Sequence, residues 1–238
     1  MTISPNGIRA ILFDLDGTLR HYRPSGADEF NRFAMSLGVS LHPEDIIRTS
    51  RWEHYYFAGS PEIRADNEAF KDEGQFWVNF ARRRLVALGC SPAQAADLAP
   101  RVHVHMRENH KPTIHVPDDA RALVALLKES GYVLGVVSNR ENQFENHMEE
   151  MGFGGQFHFT LAGGEVNSYK PESGIFEEAL RRAGTSAPET MYVGDNYFAD
   201  VIGSLRAGLR PVLYDPSGLF PEAGCPVIQS FDQLTALL

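Results

Sequence analysis

The chain has 238 residues, enough for one large domain or for a core with a smaller inserted domain, because single hydrophobic cores stop growing at roughly 250–300 residues. Hydrophobic residues make up 43% and charged residues 22%, which excludes a disordered or fibrous chain. The formal net charge of −9 disfavours nucleic acids and anionic membranes as partners, but it admits a small anionic substrate if a cation neutralises the site.

The cysteines and the N-terminal segment bear on where the protein resides. Cys90 and Cys225 form neither a close-spaced metal pattern nor the disulfide framework of a secreted protein. Residues 1–7 lack the basic start and apolar segment of a signal peptide, and no run of about 18 apolar residues occurs. We therefore expect a cytoplasmic protein without a membrane span. These features do not predict the oligomeric state.

The first predicted element is a buried strand that ends in carboxylates. Residues 8–12 form a short apolar run, followed by Phe13-Asp14-Leu15-Asp16-Gly17. Gly17 permits the backbone conformation of a tight turn, which can swing the second carboxylate towards the first. A calcium loop is excluded, because no further ligands follow at loop spacing.

From about residue 20 to residue 115 the apolar residues recur at helical spacing, which predicts an all-helical insert. Gly89 fits the end of one helix, and Ser91-Pro92 fits an N-cap followed by proline at the first helical position. The apolar positions with this spacing include Phe30, Phe33, Leu37, Phe70, Phe76, Phe80 and Leu85.

After the insert, helical and strand patterns alternate, which is typical of βαβ units. The predicted helices cover residues 118–130, 141–151 and 173–183, and the predicted strands cover residues 132–137, 157–161, 190–193 and 211–214. We predict an α/β fold with a Rossmann-like, doubly wound parallel sheet as the core (residues 1–19 and 116–238) and an inserted all-helical cap (residues 20–115). Ligands of such sheets bind beyond the C-terminal ends of the strands.

Four short motifs stand at predicted strand ends or loop starts. They are Asp14-Leu15-Asp16-Gly17-Thr18-Leu19, Val136-Val137-Ser138-Asn139, Lys170-Pro171-Glu172, and Val193-Gly194-Asp195-Asn196 followed by Asp200. Their order resembles the four signatures of the haloacid dehalogenase-like (HAD) superfamily, and the position of the insert is similar to the type-1 cap of HAD subfamily I. The resemblance spans residues 11–214.

The residue types also fit phosphoryl transfer, which needs an in-line nucleophile, a proton donor and positive charge around the equatorial oxygens. Asp14 is the predicted nucleophile, which forms an aspartyl-phosphate. Asp16 is the predicted general acid and base. Because several carboxylates would repel the phosphate, a divalent cation is required. We expect Mg²⁺, bound by Asp14, the main-chain carbonyl of Asp16 and Asp195.

The resemblance implies roles for further residues. Lys170 is expected to act as a catalytic residue that stabilises the nucleophile and the phosphoryl intermediate. Asp200 is expected to orient Lys170, and Asn196 is expected to support the site. The residues expected to bind the substrate phosphate are Thr18, Ser138, Asn139 and Lys170.

Arg20 and His21 directly follow the first motif, in a stretch where many members of the superfamily carry an acidic residue. Our hypothesis is that one of the two contacts the non-phosphate part of an acidic substrate. A solvated surface arginine is the competing interpretation, and we favour it for Arg23.

The predicted function is a magnesium-dependent phosphatase that acts on a small phosphorylated metabolite. A phosphomutase would use the same aspartyl-phosphate, and the motifs hardly separate the two activities. A catalytically silent binding or regulatory protein of the same fold is a further alternative, against which the intact set of charged residues argues. Hydrolysis of carbon–halogen bonds fits less well, because that branch generally lacks an acid at the position of Asp16.

Overall fold

A computed structural model of the protein describes residues 7–238. Residues 1–6, which contain most of the segment without signal-peptide features and the start of the predicted core, lie outside the described residues. The chain divides into two compact units, which we call the core unit and the helical unit. The core unit comprises the residues up to His21 together with Val116–Leu238, and the helical unit comprises Tyr22–His115.

The strands and helices alternate in the second half of the chain, as expected. The strands are β1 Ala10–Phe13, β2 His21–Arg23, β3 Thr113–His115, β4 Val133–Ser138, β5 Phe159–Ala162, β6 Thr190–Gly194, β7 Arg210–Tyr214 and β8 Val227–Ile228. The α-helices are α1 Gly26–Ser36, α2 Pro43–Phe57, α3 Pro61–Ala69, α4 Glu73–Ala87, α5 Pro92–Asn109, α6 Asp118–Glu129, α7 Glu145–Glu150, α8 Gly163–Val166, α9 Ser173–Ala183 and α10 Gly203–Arg206. Further helical turns are the 3-10 segments Ala187–Glu189 and Phe231–Leu237 and the π-helical segment Tyr197–Ile202.

The core unit is built around a six-stranded parallel sheet with the strand order β5-β4-β1-β6-β7-β8. The chain extends the sheet from β1 through β4 to β5, and then returns to the other side of β1 with β6. Such a reversal of strand order opens a crevice beyond the C-terminal ends of the two strands that flank it. The predicted Rossmann-like, doubly wound core is confirmed.

Helices cover both faces of this sheet because its central strand is apolar on both sides. All four residues of β1 are buried. Ile11 and Phe13 pack with Leu123 of α6 in one cluster, whereas Leu12 packs with Phe176 of α9 in another. A strand that is buried on both faces is a continuous apolar run, which explains the signal in the sequence.

The predicted bounds are good for long elements and wrong for some short ones. Helix α9 has the predicted bounds, Ser173–Ala183. Helix α7 is shorter than the predicted 141–151, because the residues after Arg140 form a loop in which the Arg140 carbonyl accepts the N–H of Gly164 at 3.1 Å. Strand β8 was not predicted, since two residues are too short to show a period.

The helical unit contains helices α1 to α5, whose first turns carry recognisable caps. Ser25, Ser60, Asp72 and Ser91 accept main-chain N–H groups at the starts of α1, α3, α4 and α5. The expectation of an all-helical insert is incomplete, because β2 and β3 pair as a small sheet at its sequence boundaries. Strands of three residues leave no periodic signal. Among residues 7–238, no helix combines the length and the apolar character needed to cross a bilayer.

Candidate active site

Polar side chains collect at the C-terminal edge of the core sheet. Asp14 directly follows β1, Ser138 is the last residue of β4, and Asp195 directly follows β6. Because β4, β1 and β6 are neighbouring parallel strands, their C-terminal ends meet at one edge. Three of the predicted site residues therefore stand side by side at the crevice of the fold.

Lys170 joins two carboxylates in the interior. Its Nζ donates to Asp14 Oδ1 at 2.5 Å and to Asp200 Oδ1 at 2.7 Å. The three side chains are 3%, 7% and 2% exposed, in the order Lys170, Asp14 and Asp200. The second oxygen of Asp200 accepts the main-chain N–H of Asn196 at 2.9 Å. Both oxygens of Asp200 are thus engaged, and this carboxylate fixes the position of the ammonium group.

Asp195 is held by the turn that follows β1. The Thr18 hydroxyl donates to Asp195 Oδ1 at 3.2 Å and accepts the Asp195 N–H at 3.0 Å. Gly17 has a φ of +97°, and a Cβ at this position would collide with the Asp195 carboxylate. The side chain of Thr18 is buried, so its hydroxyl serves Asp195. The expected contact of Thr18 with the substrate phosphate stays a prediction.

Asn139 is joined to the main chain of Lys170 at both ends of its amide. Its Nδ2 donates to the Lys170 carbonyl at 2.9 Å, and its Oδ1 accepts the Lys170 N–H at 2.6 Å. The second motif therefore positions the third motif. The Ser138 side chain lies one residue earlier at the strand end and is buried. A phosphate contact of Asn139 likewise stays a prediction.

The loop after β6 is shaped so that Asp200 can turn inwards. Asn196 Oδ1 accepts the N–H groups of Phe198 and Ala199 at 3.0 and 2.9 Å, which caps the π-helical segment that carries Asp200. A Cβ at position 194 would collide with the Asp200 carboxyl, so Gly194 is needed for the close approach. Single π-helical turns of this kind often occur at functional sites.

Asp16 is exposed and lies between two arginines. A terminal nitrogen of Arg20 contacts Asp16 Oδ1, and Arg140 Nε donates to Asp16 Oδ2 at 3.0 Å. The turn closes on itself, because the Gly17 N–H donates to the Arg20 carbonyl at 2.8 Å. Sequence reasoning missed Arg140. Its place directly after Ser138 and Asn139, beside a predicted phosphate site, was the available signal.

The two residues proposed from sequence to read the substrate have different environments. The Arg20 side chain is 6% exposed and is held by Asp16. The His21 ring lies 5.9 Å from the ring of Tyr214, and its Nε2 is 3.0 Å from the Thr18 carbonyl oxygen. The competing reading of Arg20 as a solvated surface residue does not fit its burial.

The buried charges shift each other's protonation. Desolvation, with help from Asp200, raises the pKa of Asp14 to about 7, although Lys170 opposes the shift. Desolvation and the charges of Asp14 and Asp200 raise the pKa of Asp195 well above its ordinary value. Burial alone would lower the pKa of Lys170, but the carboxylates of Asp14 and Asp200 hold it well above its ordinary value. The ammonium is charged, and the carboxylates around it are in excess.

The donor set fits a hard divalent cation. Asp14, Asp195 and Asp200 each offer an oxygen, and the three oxygens lie within 4.8 Å of one another. Asp14 Oδ2 is buried and accepts no hydrogen bond from residues 7–238. An unsatisfied buried carboxylate oxygen is costly unless a ligand or substrate lies beside it. Mg²⁺ in general prefers hard oxygen ligands such as these carboxylates. Because Asp200 is engaged by Lys170 and Asn196, Asp14 and Asp195 are the better placed ligands.

Comparisons with known proteins identify the family of the chain. A family model of haloacid dehalogenase-like hydrolases matches residues 11–213. The chain is 37% identical over 218 residues to the glyceraldehyde 3-phosphate phosphatase of Methanothermobacter thermautotrophicus, covering 87% of this chain and 85% of that protein. It is 27% identical over 213 residues to the ribulose-1,5-bisphosphate 5-phosphatase of Halopiger xanaduensis, covering 87% and 85%.

A solved structure carries the same fold. The crystal structure of a predicted phosphoglycolate phosphatase from Haemophilus somnus superposes with a TM-score of 0.62 and covers 98% of this chain and 99% of that one. At 18% sequence identity this likeness concerns the fold alone. The chemistry of the site therefore follows from the residues at the sheet edge.

Proposed function

The chain belongs to the haloacid dehalogenase-like hydrolases, and we propose that it is a magnesium-dependent phosphatase that hydrolyses a small phosphorylated metabolite through an aspartyl-phosphate on Asp14. One observation carries the proposal. Asp14 is buried at the end of the central strand, with one oxygen held by Lys170 and the other, Oδ2, without a hydrogen-bond donor among residues 7–238.

Asp14 acts as the nucleophile. A carboxylate that is fixed by one oxygen presents the other in a defined direction, which is what an in-line attack on phosphorus requires. The bond from phosphorus to the leaving oxygen breaks as the bond from Asp14 forms. Lys170 keeps its positive charge next to the nucleophile and stabilises the negative charge of the transferring phosphoryl group.

Asp14, Asp195 and the main-chain carbonyl of Asp16 would hold Mg²⁺. When bound, this cation supplies the charge that offsets the carboxylates and the substrate phosphate. Thr18 orients Asp195 through its two hydrogen bonds. Residues that hold a metal ligand in place often affect metal affinity nearly as strongly as the ligand itself.

Asp16 acts as general acid and base. Its side chain is 39% exposed, so it can meet a leaving group that enters from solvent, whereas Asp14 lies inside. Asp16 gives a proton to the leaving alcohol in the first half-reaction. It then takes a proton from the water that attacks the aspartyl-phosphate.

Phosphate binding falls to Ser138 and Lys170 in this proposal. Both lie at the same sheet edge as Asp14 and are buried. We assign Thr18 and Asn139 to positioning, because their polar atoms are engaged with Asp195 and with the Lys170 main chain. Asn196 and Asp200 support the site in the same indirect way.

The domain assignment is part of the proposal. Residues 1–19 and 116–238 would form the catalytic core, and residues 20–115 would act as a cap that excludes water and contributes to substrate choice. The named activities of the two relatives concern phosphorylated sugars, which supports a small phosphorylated metabolite as the substrate class.

The test is a screen of small phosphate esters with the full chain and Mg²⁺, run beside Asp14→Asn and an excess of chelator. We expect phosphate release from at least one ester, lost in both controls. Asp215→Asn is a matched variant, because Asp215 is also a buried carboxylate after a strand, but it binds the N–H groups of Leu219 and Phe220. Turnover that survives Asp14→Asn would refute the nucleophile, and isomer formation without phosphate release would identify a phosphomutase.

A further inference from the structure

Asp16 is clamped by two arginines that differ in their surroundings. Arg20 lies on the same turn, and its side chain is 6% exposed. Arg140 comes from the loop after β4, and its side chain is 24% exposed. Each arginine takes a different oxygen of the carboxylate, Arg20 taking Oδ1 and Arg140 taking Oδ2.

Few of the N–H donors of Arg140 are bonded to protein acceptors. Within residues 7–238, its side-chain hydrogen bonds and ion pairs go to Asp16 alone, through Nε at 3.0 Å. Arg83, in the helical unit, is a useful contrast, because it binds Asp66 with Nε at 2.6 Å and with a terminal nitrogen at 2.8 Å. An arginine commonly binds a carboxylate through such a fork. Arg140 therefore keeps two terminal nitrogens available for another acceptor.

The location of Arg140 points to the leaving group as that acceptor. If Asp16 serves the leaving oxygen, that oxygen lies roughly 3 Å from the carboxylate. Because Arg140 Nε is 3.0 Å from Asp16 Oδ2, this nitrogen lies within about 6 Å of the leaving oxygen when Oδ2 makes the contact. Atoms two or three bonds beyond the leaving oxygen are then within its reach.

The charges of Asp16, Arg20 and Arg140 indicate what kind of group on the substrate Arg140 would bind. Two guanidinium groups and one carboxylate give a local net charge of +1, in a chain whose formal net charge is −9. A neutral leaving group would gain nothing from an arginine that is half-buried and only partly paired. An anionic group would accept both terminal nitrogens and complete the fork.

We propose that Arg140 is a specificity-determining residue that binds a second anionic group on the substrate, a carboxylate or a further phosphate carried by the leaving alcohol. This inference rests on the proposed function, because it takes Asp16 as the residue that meets the leaving oxygen. Arg20 is buried against the same carboxylate and keeps Asp16 in place when Arg140 turns to the substrate. In this proposal Arg140, rather than Arg20, contacts the non-phosphate part of the substrate.

The test compares matched pairs of esters. One pair is 3-phosphoglycerate and glycerol 3-phosphate, which differ by a carboxylate against a hydroxymethyl group. The other is propane-1,3-diol bisphosphate and its monophosphate, which tests a second phosphate in place of a carboxylate. The kinetic constants are measured for the full chain with Mg²⁺, for Arg140→Gln and for Arg140→Lys. Arg181→Gln is the control, because Arg181 is 72% exposed and, among residues 7–238, pairs only with Glu178 of its own helix.

The wild-type chain should prefer the anionic member of at least one pair, and Arg140→Gln should reduce that preference in kcat/KM by about 10–100-fold, mainly through KM. Arg140→Lys should retain part of the preference, and Arg181→Gln all of it. A wild-type chain without preference for either anionic ester, or an Arg140→Gln variant that loses equally on both members of the preferred pair, would overturn the inference and leave the phosphatase intact. Failure of the wild-type chain to release phosphate from any ester, by contrast, overturns the proposed function.

Discussion

Both units bury charged side chains, but the balance of charge differs. In the helical unit, Asp66 accepts two hydrogen bonds from Arg83 and one from the Tyr56 hydroxyl at 2.9 Å. Arg84, whose side chain is 2% exposed, pairs with Glu53 at 2.5 Å and donates to Asn31 at 2.8 Å. Arg83 and Arg84 each pair with one carboxylate, and the other hydrogen bonds named here are made by neutral groups.

The core unit is arranged differently. The carboxylates of Asp14, Asp195 and Asp200 have oxygens within 4.8 Å of one another. The ammonium group of Lys170 pairs with Asp14 and Asp200. A buried carboxylate that is paired with one cation has its charge neutralised within the folded chain. Carboxylates in excess of cations destabilise the folded chain unless a bound cation offsets their charge. We therefore expect the charges in the helical unit to be structural and the carboxylates in the core unit to bind a cation.

Replacing the positively charged side chain of each cluster should have the most different effects on phosphatase turnover. We expect Lys170→Met to lower phosphatase turnover by about 10³-fold, because the nucleophile loses the donor that fixes it and the transferring phosphoryl group loses a positive charge. Steady-state phosphate release measures this loss. The matched change in the helical unit, Arg83→Met, should leave turnover per folded molecule close to that of the wild-type chain. Equal losses of turnover in the two variants would erase the distinction.

Neutralising one carboxylate in each cluster should have opposite effects on stability. Asp66→Asn removes the charged partner of Arg83, whose side chain is 30% exposed, and should cost about 1–3 kcal/mol. Asp195→Asn removes an excess charge and should raise the free energy of unfolding of the metal-free chain at pH 8 by about 1–2 kcal/mol, while abolishing stabilisation by Mg²⁺.

Calorimetry with parallel tryptophan fluorescence can measure these two changes. Trp52 and Trp77 both lie in the helical unit, so their emission follows that unit, whereas calorimetry detects both. A loss of stability in metal-free Asp195→Asn at pH 8 would mean that the core unit has no destabilising excess of carboxylates around Lys170.

The free energy of unfolding of the metal-free chain should also depend on pH because of the buried carboxylates. The pKa of Asp14 is raised to about 7 from an ordinary value of 3.8. Between these values the folded chain keeps a proton that the unfolded chain has lost, so stability falls as pH rises through this window. We expect a fall to which Asp14 contributes about 2 kcal/mol, so that the fall is smaller in Asp14→Asn and is reduced by Mg²⁺. Denaturant titrations at pH 5 and pH 8 measure it, and an unchanged fall in Asp14→Asn would contradict the assignment.

The smallest expected effects come from two hydroxyl groups. Thr18→Val should weaken Mg²⁺ binding about tenfold, because Asp195 loses its donor. Tyr56→Phe should cost about 1 kcal/mol of stability and leave Mg²⁺ affinity unchanged, because its hydroxyl donates to Asp66 in the helical unit. Calorimetric Mg²⁺ titration distinguishes the two variants. Weakened Mg²⁺ binding in Tyr56→Phe would show that the helical cluster also serves the metal site.

The sequence predicted the elements that position the site because strand ends leave strong local signals. The apolar run before Asp14 is long enough to be recognised, and neighbouring parallel strands then bring Ser138 and Asp195 to the same edge. Strand β8 and the small sheet of β2 and β3 escaped prediction, since two or three residues carry no period.

The side-chain partners could not be predicted in the same way. Asn139 serves the main chain of Lys170, 31 residues away, and Arg140 reaches Asp16 across 124 residues. Such contacts depend on side-chain directions at loop positions, where no repeating pattern fixes them. The burial of Arg20 against Asp16 could not be predicted for the same reason, because its charge was visible in the sequence but its partner was not.

The central claim, that Asp14 is the nucleophile in an overcharged site, can be tested by rapid acid quench during turnover of the best ester with Mg²⁺, followed by mass spectrometry of the tryptic peptide Ala10–Arg20. This peptide contains Asp14 and Asp16 and is bounded by Arg9 and Arg20. We predict a phosphoryl group on Asp14 in the wild-type chain and none in Asp14→Asn. Phosphate release without a phosphorylated peptide at any quench time, or a phosphoryl group on another residue, would contradict the account.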